Sequence, residues 1–288
     1  MATILITGIN GFLGSNLAKK LAGQHTVIGL ARSAKSIGRI NGLDVKVYNH
    51  ADHELEEIFS SQQVDVVIHA ATVYRSVNGV VSQMMETNIA LPVKLYELCK
   101  KYRAKAFINT DTFFNDPANQ YSYLADYTLS KKQVIEWLKI ALKDTPVINM
   151  KLFHMFGPGD SPDKFVSQMI TAITTGQTEL KLTAGEQIRD FIYVDDVVTA
   201  FEAVVNKLDT FNENYHEFEV GTGQSVSVKE FLETIKTLAG TNTNLLFGAL
   251  PYRPNEIMTS KAKIEQLLDL GWKPAYTLQA ALQSMLKN

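Results

Sequence analysis

Apolar positions in the first half of the chain follow two alternating rhythms. Short apolar runs cover Thr3–Thr7, Thr26–Leu30, Val45–Tyr48, Val64–His69, Lys105–Thr110 and Val147–Lys151, each of strand length. Between them, apolar residues recur at helical spacing over Gly11–Leu21, Glu54–Ser60, a long stretch from Val80 to Tyr102, and Tyr127–Leu142. Strands alternating with helices predict βαβ units and a parallel sheet covered on both faces. The run Val64-Asp65-Val66-Val67-Ile68-His69 is nearly all apolar, as a central parallel strand has to be. After Leu152 the rhythm changes. Gly157-Pro158-Gly159-Asp160-Ser161-Pro162 is a turn-rich break. Helical patterns follow over Lys164–Thr174, Val194–Lys207, Val228–Ala239, Lys261–Leu268 and Leu278–Leu286, with short strand-like pieces among them. The expected class is α/β: a Rossmann-fold doubly wound parallel sheet over residues 1–152, to which 190–208 can return, and a smaller C-terminal α/β substrate domain over 153–288. A ligand is expected in the cleft between the domains.

Composition narrows the functions. A net charge of −2 gives no global positive field, so neither nucleic acid nor a membrane surface is an expected partner. No apolar run approaches the ~20 residues that span a bilayer. The N-terminus lacks the basic and small-residue features of a signal peptide. Cys99 is the single cysteine and falls in a helical apolar pattern, which implies a core residue, no disulfide framework and a cytoplasmic setting.

The first chemistry lies at the N-terminus. Strand residues Ile4–Thr7 run into Gly8-Ile9-Asn10-Gly11-Phe12-Leu13-Gly14 and then a helix, the context of a dinucleotide-binding loop. Gly8 allows the tight turn, Gly11 lets backbone N–H groups approach a pyrophosphate, and Gly14 lets the helix pack on the sheet. An NAD site would place an acid at the end of the second strand. Ala31, Arg32 and Ser33 stand there instead, and Arg32 with Ser33 suits a ribose 2′-phosphate, so NADP(H) is the expected cofactor. No metal site is expected. Tyr127-x-x-x-Lys131 on a predicted helix puts a phenol and an ammonium on one face. The ammonium is expected to lower the phenol's pKa toward the operating pH, where proton transfer is efficient.

The Gly-x-x-Gly-x-x-Gly spacing, with Tyr-x-x-x-Lys behind it, resembles the extended short-chain dehydrogenase/reductases, the NAD-dependent epimerase/dehydratase family of nucleotide-sugar enzymes. The resemblance implies that Gly8, Asn10, Gly11, Phe12, Leu13, Gly14, Arg32, Ser33, His69, Ala70, Ala71, Tyr127 and Lys131 contact the cofactor. It implies that Thr110, Tyr127 and Lys131 are catalytic, with Thr110 aligned on the aromatic Phe114. Dehydratases of this family carry Asp-Glu after that hydroxyl residue. Here the pair is Asp111-Thr112, and a threonine cannot serve as the carboxylate base. Thr87-Asn88, Gly221-Thr222-Gly223 and Lys151-Leu152-Phe153-His154-Met155-Phe156-Gly157-Pro158 also follow the family pattern, with His154 in place of its usual Asn. Arg189-Asp190-Phe191-Ile192-Tyr193-Val194-Asp195-Asp196 and Arg253-Pro254-Asn255-Glu256 do likewise. Thr112, His154, Arg189 and Arg253 are the implied substrate-binding residues, Arg253 as the grip on a diphosphate. A homodimer through Val80–Tyr102 and Tyr127–Leu142 is implied as well.

Through Thr26-Val27-Ile28-Gly29-Leu30-Ala31-Arg32, Lys181-Leu182-Thr183 ahead of Arg189-Asp190-Phe191, and Arg253-Pro254-Asn255-Glu256, the chain most resembles within that family the small 4-ketoreductases of dideoxysugar pathways, the CDP-paratose and CDP-abequose synthases. The implied activity is NADPH-dependent reduction of the C4 ketone of a nucleotide-linked 4-keto-6-deoxy or 4-keto-3,6-dideoxy sugar, CDP-linked by preference, for surface polysaccharide such as O-antigen. A nucleotide-sugar 4-epimerase with tightly held NAD would use the same Thr–Tyr–Lys set. A non-catalytic dinucleotide-binding sensor would have no reason to keep the three together.

Overall fold

A computed structural model describes residues 1–33, 38–50, 54–75, 80–116 and 123–287. In chain order the elements are β1 (Thr3–Thr7), α1 (Phe12–Leu21), β2 (Thr26–Ala31), β3 (Lys46–Asn49), α2 (Leu55–Ser61), β4 (Val66–His69), α3 (Ser82–Met85), α4 (Leu91–Lys101), β5 (Ala106–Thr112), α5 (Ala125–Ile140) and β6 (Val147–Leu152). There follow β7 (His154–Phe156), α6 (Phe165–Thr174), β8 (Glu179–Lys181), β9 (Ile188–Arg189), β10 (Phe191–Tyr193), α7 (Val194–Asn206), β11 (Tyr215–Val220), β12 (Val226–Ser227), α8 (Val228–Ala239), β13 (Asn244–Leu246), β14 (Thr259–Ser260), α9 (Glu265–Asp269) and α10 (Leu278–Leu286).

The chain divides into two compact units. The first comprises Met1–Asp116, Tyr123–Lys151 and Val198–Phe218. Its seven-stranded sheet runs β11-β6-β5-β4-β1-β2-β3, the Rossmann order with a further strand at one edge. β1 lies between β2 and β4, parallel to both, with Thr7 opposite Leu30 and His69. The order in which successive strands are added therefore reverses between β1 and β4, the switch point where such folds expose ligand contacts. Leu5, Ile28, Val67 and Phe107 from the sheet bury against Leu95, Tyr96, Val134 and Leu138 of the helices. The second unit, Leu152–Val197 with Glu219 onward, has its own core, where Phe156, Phe191, Phe231, Leu232 and Ile235 pack together.

Two elements depart from the reading by periodicity. The long helix expected from Val80 to Tyr102 is interrupted by a π-helical turn at Glu86–Ala90 between α3 and α4. β11 falls where periodicity assigns no element, because Tyr215-His216-Glu217-Phe218-Glu219-Val220 lacks the continuous apolar run of the central strands, as suits the edge position it takes.

Candidate active site

The glycine loop is set by close contacts. Gly8 has φ +63°, and a Cβ there would lie 2.7 Å from the Ala71 Cα. A Cβ on Gly14 would lie 2.3 Å from the Gly8 carbonyl oxygen. Only glycine permits these approaches, and they press the end of β4 against the turn that starts α1. Gly11 is the N-cap of α1 and brings no capping side chain, and the first turn, starting with Phe12 and Leu13, holds no acid. The first N–H groups and the positive end of the helix dipole are thus left for an anion, which fits a dinucleotide's pyrophosphate. The Asn10 Oδ1 accepts the Arg39 N–H at 3.3 Å. Arg32 and Ser33 are exposed just beyond β2. The Thr7 hydroxyl is 2.9 Å from His69 Nδ1 and accepts the Ala71 N–H at 3.1 Å. This fixes His69, Ala70 and Ala71 at the switch point. Burial, and then the Lys131 charge, hold His69 well below the usual imidazole range.

The buried face of α5 carries Tyr127, Ser130, Lys131, Val134 and Leu138, so the helical repeat itself delivers phenol and ammonium to the end of β5. Lys131 Nζ donates to the Thr110 carbonyl at 2.7 Å and lies 6.0 Å from the Tyr127 ring centroid. The Thr110 hydroxyl is buried and finds no hydrogen-bond partner among the described residues, so it is available to a ligand oxygen. The Thr112 hydroxyl is hydrogen-bonded to Tyr127. Tyr74 tilts against Tyr127 with centroids 5.0 Å apart. Sequence reasoning expects Lys131 to lower the phenol's pKa, and here the structure corrects it. Burial and the Asp111 charge raise Tyr127, which remains protonated at neutral pH. Burial brings Lys131 down to about 8, with Asp111 opposing that fall.

Further buried polar residues support the site: Asn88, which the sequence resemblance sets on the helix behind it, and Asn109 and Asn149, which sequence reasoning did not place there. Asn88, buried in the π-helical turn, accepts the Val73 N–H at 2.8 Å and donates to the Val73 carbonyl at 3.0 Å and to Ser130 Oγ at 2.9 Å. It thereby ties the segment after β4 to α5. Asn109 and Asn149 are buried side by side, with Asn109 Nδ2 2.8 Å from Asn149 Oδ1, and Asn149 Nδ2 is 2.9 Å from Asp111. A signal for them existed: each Asn follows a run of buried apolar residues in a central strand, Ala106–Ile108 or Val147–Ile148, where a polar group has to be satisfied.

The second unit holds the remaining candidates. His154 Nε2 lies 3.2 Å from Ser260 Oγ, and the imidazole is tilted 5.5 Å from the Phe191 ring. Burial and the Arg189 charge keep it neutral. Arg189 is buried and paired with Glu256 at 2.8 Å, and the Glu256 N–H donates to the Arg253 carbonyl at 3.2 Å. The two arginines are thus linked through one turn, with Arg253 exposed. Asp190 is structural: it accepts Thr222 N–H at 2.8 Å, Gly223 N–H at 3.0 Å and Ala262 N–H at 3.2 Å. Asp196 likewise fastens the Ala275 and Tyr276 backbone. Among the described residues, no group of His, Cys, Asp or Glu could hold a metal, and no helix is long and apolar enough to cross a membrane.

The fold and its loop have close relatives. The chain is 33% identical over 292 residues to a CDP-abequose synthase of Salmonella typhimurium, covering 99% of this chain and 97% of that protein. Among solved structures, it superposes on the UDP-glucose 4-epimerase of Thermotoga maritima with a TM-score of 0.81 at 22% identity, covering 99% and 97% of the two chains. The UDP-glucuronic acid 4-epimerase of Bacillus cereus, solved with UDP-glucuronic acid and NAD, gives 0.82 at 21% identity, covering 99% and 98%. Residues 4–221 match the model of the NAD dependent epimerase/dehydratase family. With the glycine loop, the switch point and the Tyr127–Lys131 pair all in place, this chain belongs to the NAD dependent epimerase/dehydratase family.

Proposed function

We propose that this protein is an NADPH-dependent reductase of the C4 ketone of a nucleotide-linked 4-keto-6-deoxy or 4-keto-3,6-dideoxy sugar, with a CDP-sugar as the favoured substrate. One observation carries the reading. Thr110, Tyr127 and Lys131 meet at the end of β5, and the next hydroxyl, Thr112, bonds Tyr127 at the position where elimination of water needs a carboxylate base. The similarity to a CDP-abequose synthase over nearly the whole chain supports the same assignment.

Gly8, Asn10, Gly11, Phe12, Leu13 and Gly14 hold the pyrophosphate, Arg32 and Ser33 take the 2′-phosphate, and His69, Ala70 and Ala71 line the nicotinamide-ribose side. A bound reduced nicotinamide supplies a hydride to C4. Thr110 donates its unused hydroxyl hydrogen to the ketone oxygen and orients it. Tyr127, kept protonated by its surroundings, delivers the proton that completes the alcohol. Lys131 holds positive charge beside the oxygen as charge develops there. In the second unit, Arg253 grips the diphosphate, and Arg189 and His154 serve the substrate side. The enzyme acts as a homodimer in the cytoplasm, and the exposed Leu129, Trp137 and Ile140 on one face of α5 provide an apolar dimer surface.

The test is incubation of the purified protein with NADPH and a panel of 4-keto-sugar nucleotides, following NADPH absorbance and identifying the product by NMR. Reduction at C4 with free release of NADP supports the reading. Protein that retains NAD through purification and interconverts C4 epimers without net oxidation of cofactor overturns it.

A further inference from the structure

Asp111 is a buried acid beside the reacting groups to which the reaction above gives no task. It is 2% exposed near the end of β5. Its carboxylate accepts Asn149 Nδ2 at 2.9 Å, Asn115 Nδ2 at 3.2 Å and the Thr112 N–H. Asn149, fully buried, also donates to Glu217 Oε2 at 2.9 Å, and Glu217 pairs with Lys151 at 2.6 Å and accepts the Tyr215 hydroxyl at 2.9 Å. Two acids therefore stand between two cations, in the order Lys131, Asp111, Glu217, Lys151. Asn149 separates the two carboxylates. A primary amide that donates to both can hold two anions in place but cannot pass a proton between them. The array is a fixed set of charges rather than a proton wire. Burying it costs several kcal/mol relative to an apolar filling unless its members satisfy one another. They do, so what the array supplies is a field at the site.

We propose that Asp111 is a positioning residue for the reduction: its carboxylate, pinned by Asn149 and Asn115 one residue along β5 from the carbonyl that anchors Lys131, keeps Lys131 charged and Tyr127 protonated in a pocket whose burial works against the ammonium. The proposal rests on the reading of Tyr127 as proton donor. The groups facing Lys131 are Asp111 from β5, the neutral His69 from β4, and Tyr127 on its own helix. Tyr127 is faced by Thr112, Asp111 and Tyr74. Behind Asp111 stand Glu217 and Tyr215 of β11 and Lys151 of β6. Removing the Asp111 charge has one sign on both partners. Lys131 loses the anion that supports its ammonium, and Tyr127 loses the anion that opposes its phenolate, so each gives up its proton at lower pH.

The experiment follows the 13Cε resonance of Lys131 by NMR, assigned by its absence in Lys131→Met, with neither cofactor nor substrate added. The native midpoint is expected near pH 8. In Asp111→Asn it falls by about one pH unit, a tenfold shift in the proton equilibrium. In Asp111→Glu, which keeps the charge, it stays within a few tenths of a unit. The alkaline limb of the reduction rate moves down with it. A purely structural Asp111 would leave the midpoint in place while lowering Tm. An Asp111→Asn midpoint equal to or above the native one therefore overturns the proposal. Should that variant fail to fold by circular dichroism, Asp111→Ser, which also removes the charge and can still accept from Asn149, gives the same reading. If no keto-sugar is reduced at all, the proposed reaction fails while the Lys131 midpoint still decides the role of Asp111.

Discussion

Tyr127 and Lys131 are each held in the protonation state that burial alone would set only for the phenol. Tyr127 remains an acid, so replacing it with phenylalanine removes the proton donor while keeping the ring in place. Tyr127→Phe is expected to lower kcat for ketone reduction by about 10²–10⁴-fold while the Kd for NADPH stays within about twofold. A variant that keeps more than a tenth of the native rate would show that the proton comes from elsewhere. Lys131 is the costlier residue. Its folded-state pKa of about 8 lies below the unfolded value of 10.5, so the unfolded chain binds more protons between those limits and stability rises with pH across that window. Below about pH 8 the penalty is fully present. The shift corresponds to about 3 kcal/mol, offset by about 1 kcal/mol for the hydrogen bond to Thr110. Lys131→Met should therefore be inactive yet melt about 2–4 °C higher than the native protein at pH 7, with the gap closing as pH approaches 10. Scanning fluorimetry across that pH range checks it, and a gap that is constant or widens with pH refutes the assignment.

At the scale of elements, close approach rather than composition fixes the glycine loop. A methyl on Gly14 would press into the Gly8 carbonyl at 2.3 Å, a contact of backbone with backbone that no rotamer change relieves. Gly14→Ala is expected to destabilise the protein by about 2–4 kcal/mol and to abolish NADPH binding, read together by thermal melting and by quenching of NADPH fluorescence. Native-like binding would mean that the turn can open and that the loop is not the pyrophosphate site. This loop was fully legible in the sequence, because a glycine triplet between strand and helix leaves few geometries. So was α5, whose apolar repeat carries Tyr127 and Lys131 inward. Less legible was whatever depends on partners distant in sequence. The break at Glu86–Ala90 serves Asn88, whose bonds reach Val73 and Ser130, and no local propensity encodes that. The pKa of Tyr127 departs from that reading for the same reason: the Tyr-x-x-x-Lys spacing displays the cation, while the burial that raises the phenol most, and Asp111 on β5, which adds to it, depend on the fold.

For the whole molecule, the two units divide the binding work on the reading proposed, and substitutions can separate them. Arg32 belongs to the first unit, Arg253 to the second. If Arg32 grips the 2′-phosphate, Arg32→Ala loses charge-assisted contacts worth about 1.5–3 kcal/mol, hence about 10–150-fold in NADPH affinity, while NADH affinity, which has no phosphate to lose, stays unchanged. If Arg253 grips the diphosphate, Arg253→Ala leaves both cofactor affinities unchanged and lowers kcat/KM for a nucleotide-linked keto-sugar by a comparable factor. Arg253→Lys should recover only part of that loss, since an ammonium cannot form the bidentate fork. Glu256 makes the second arm sharper. Its carboxylate pairs with Arg189 while its backbone N–H closes the turn on the Arg253 carbonyl, so Glu256→Gln should disturb Arg189 alone and lower kcat/KM for the sugar nucleotide, with NADPH binding again untouched. The measurements are NADPH and NADH titrations and steady-state kinetics on one CDP-linked 4-keto-sugar for native protein and the four variants. Crossed effects, with Arg32→Ala weakening the sugar nucleotide or Arg253→Ala weakening NADPH selectively over NADH, would place the phosphates of cofactor and substrate the other way round.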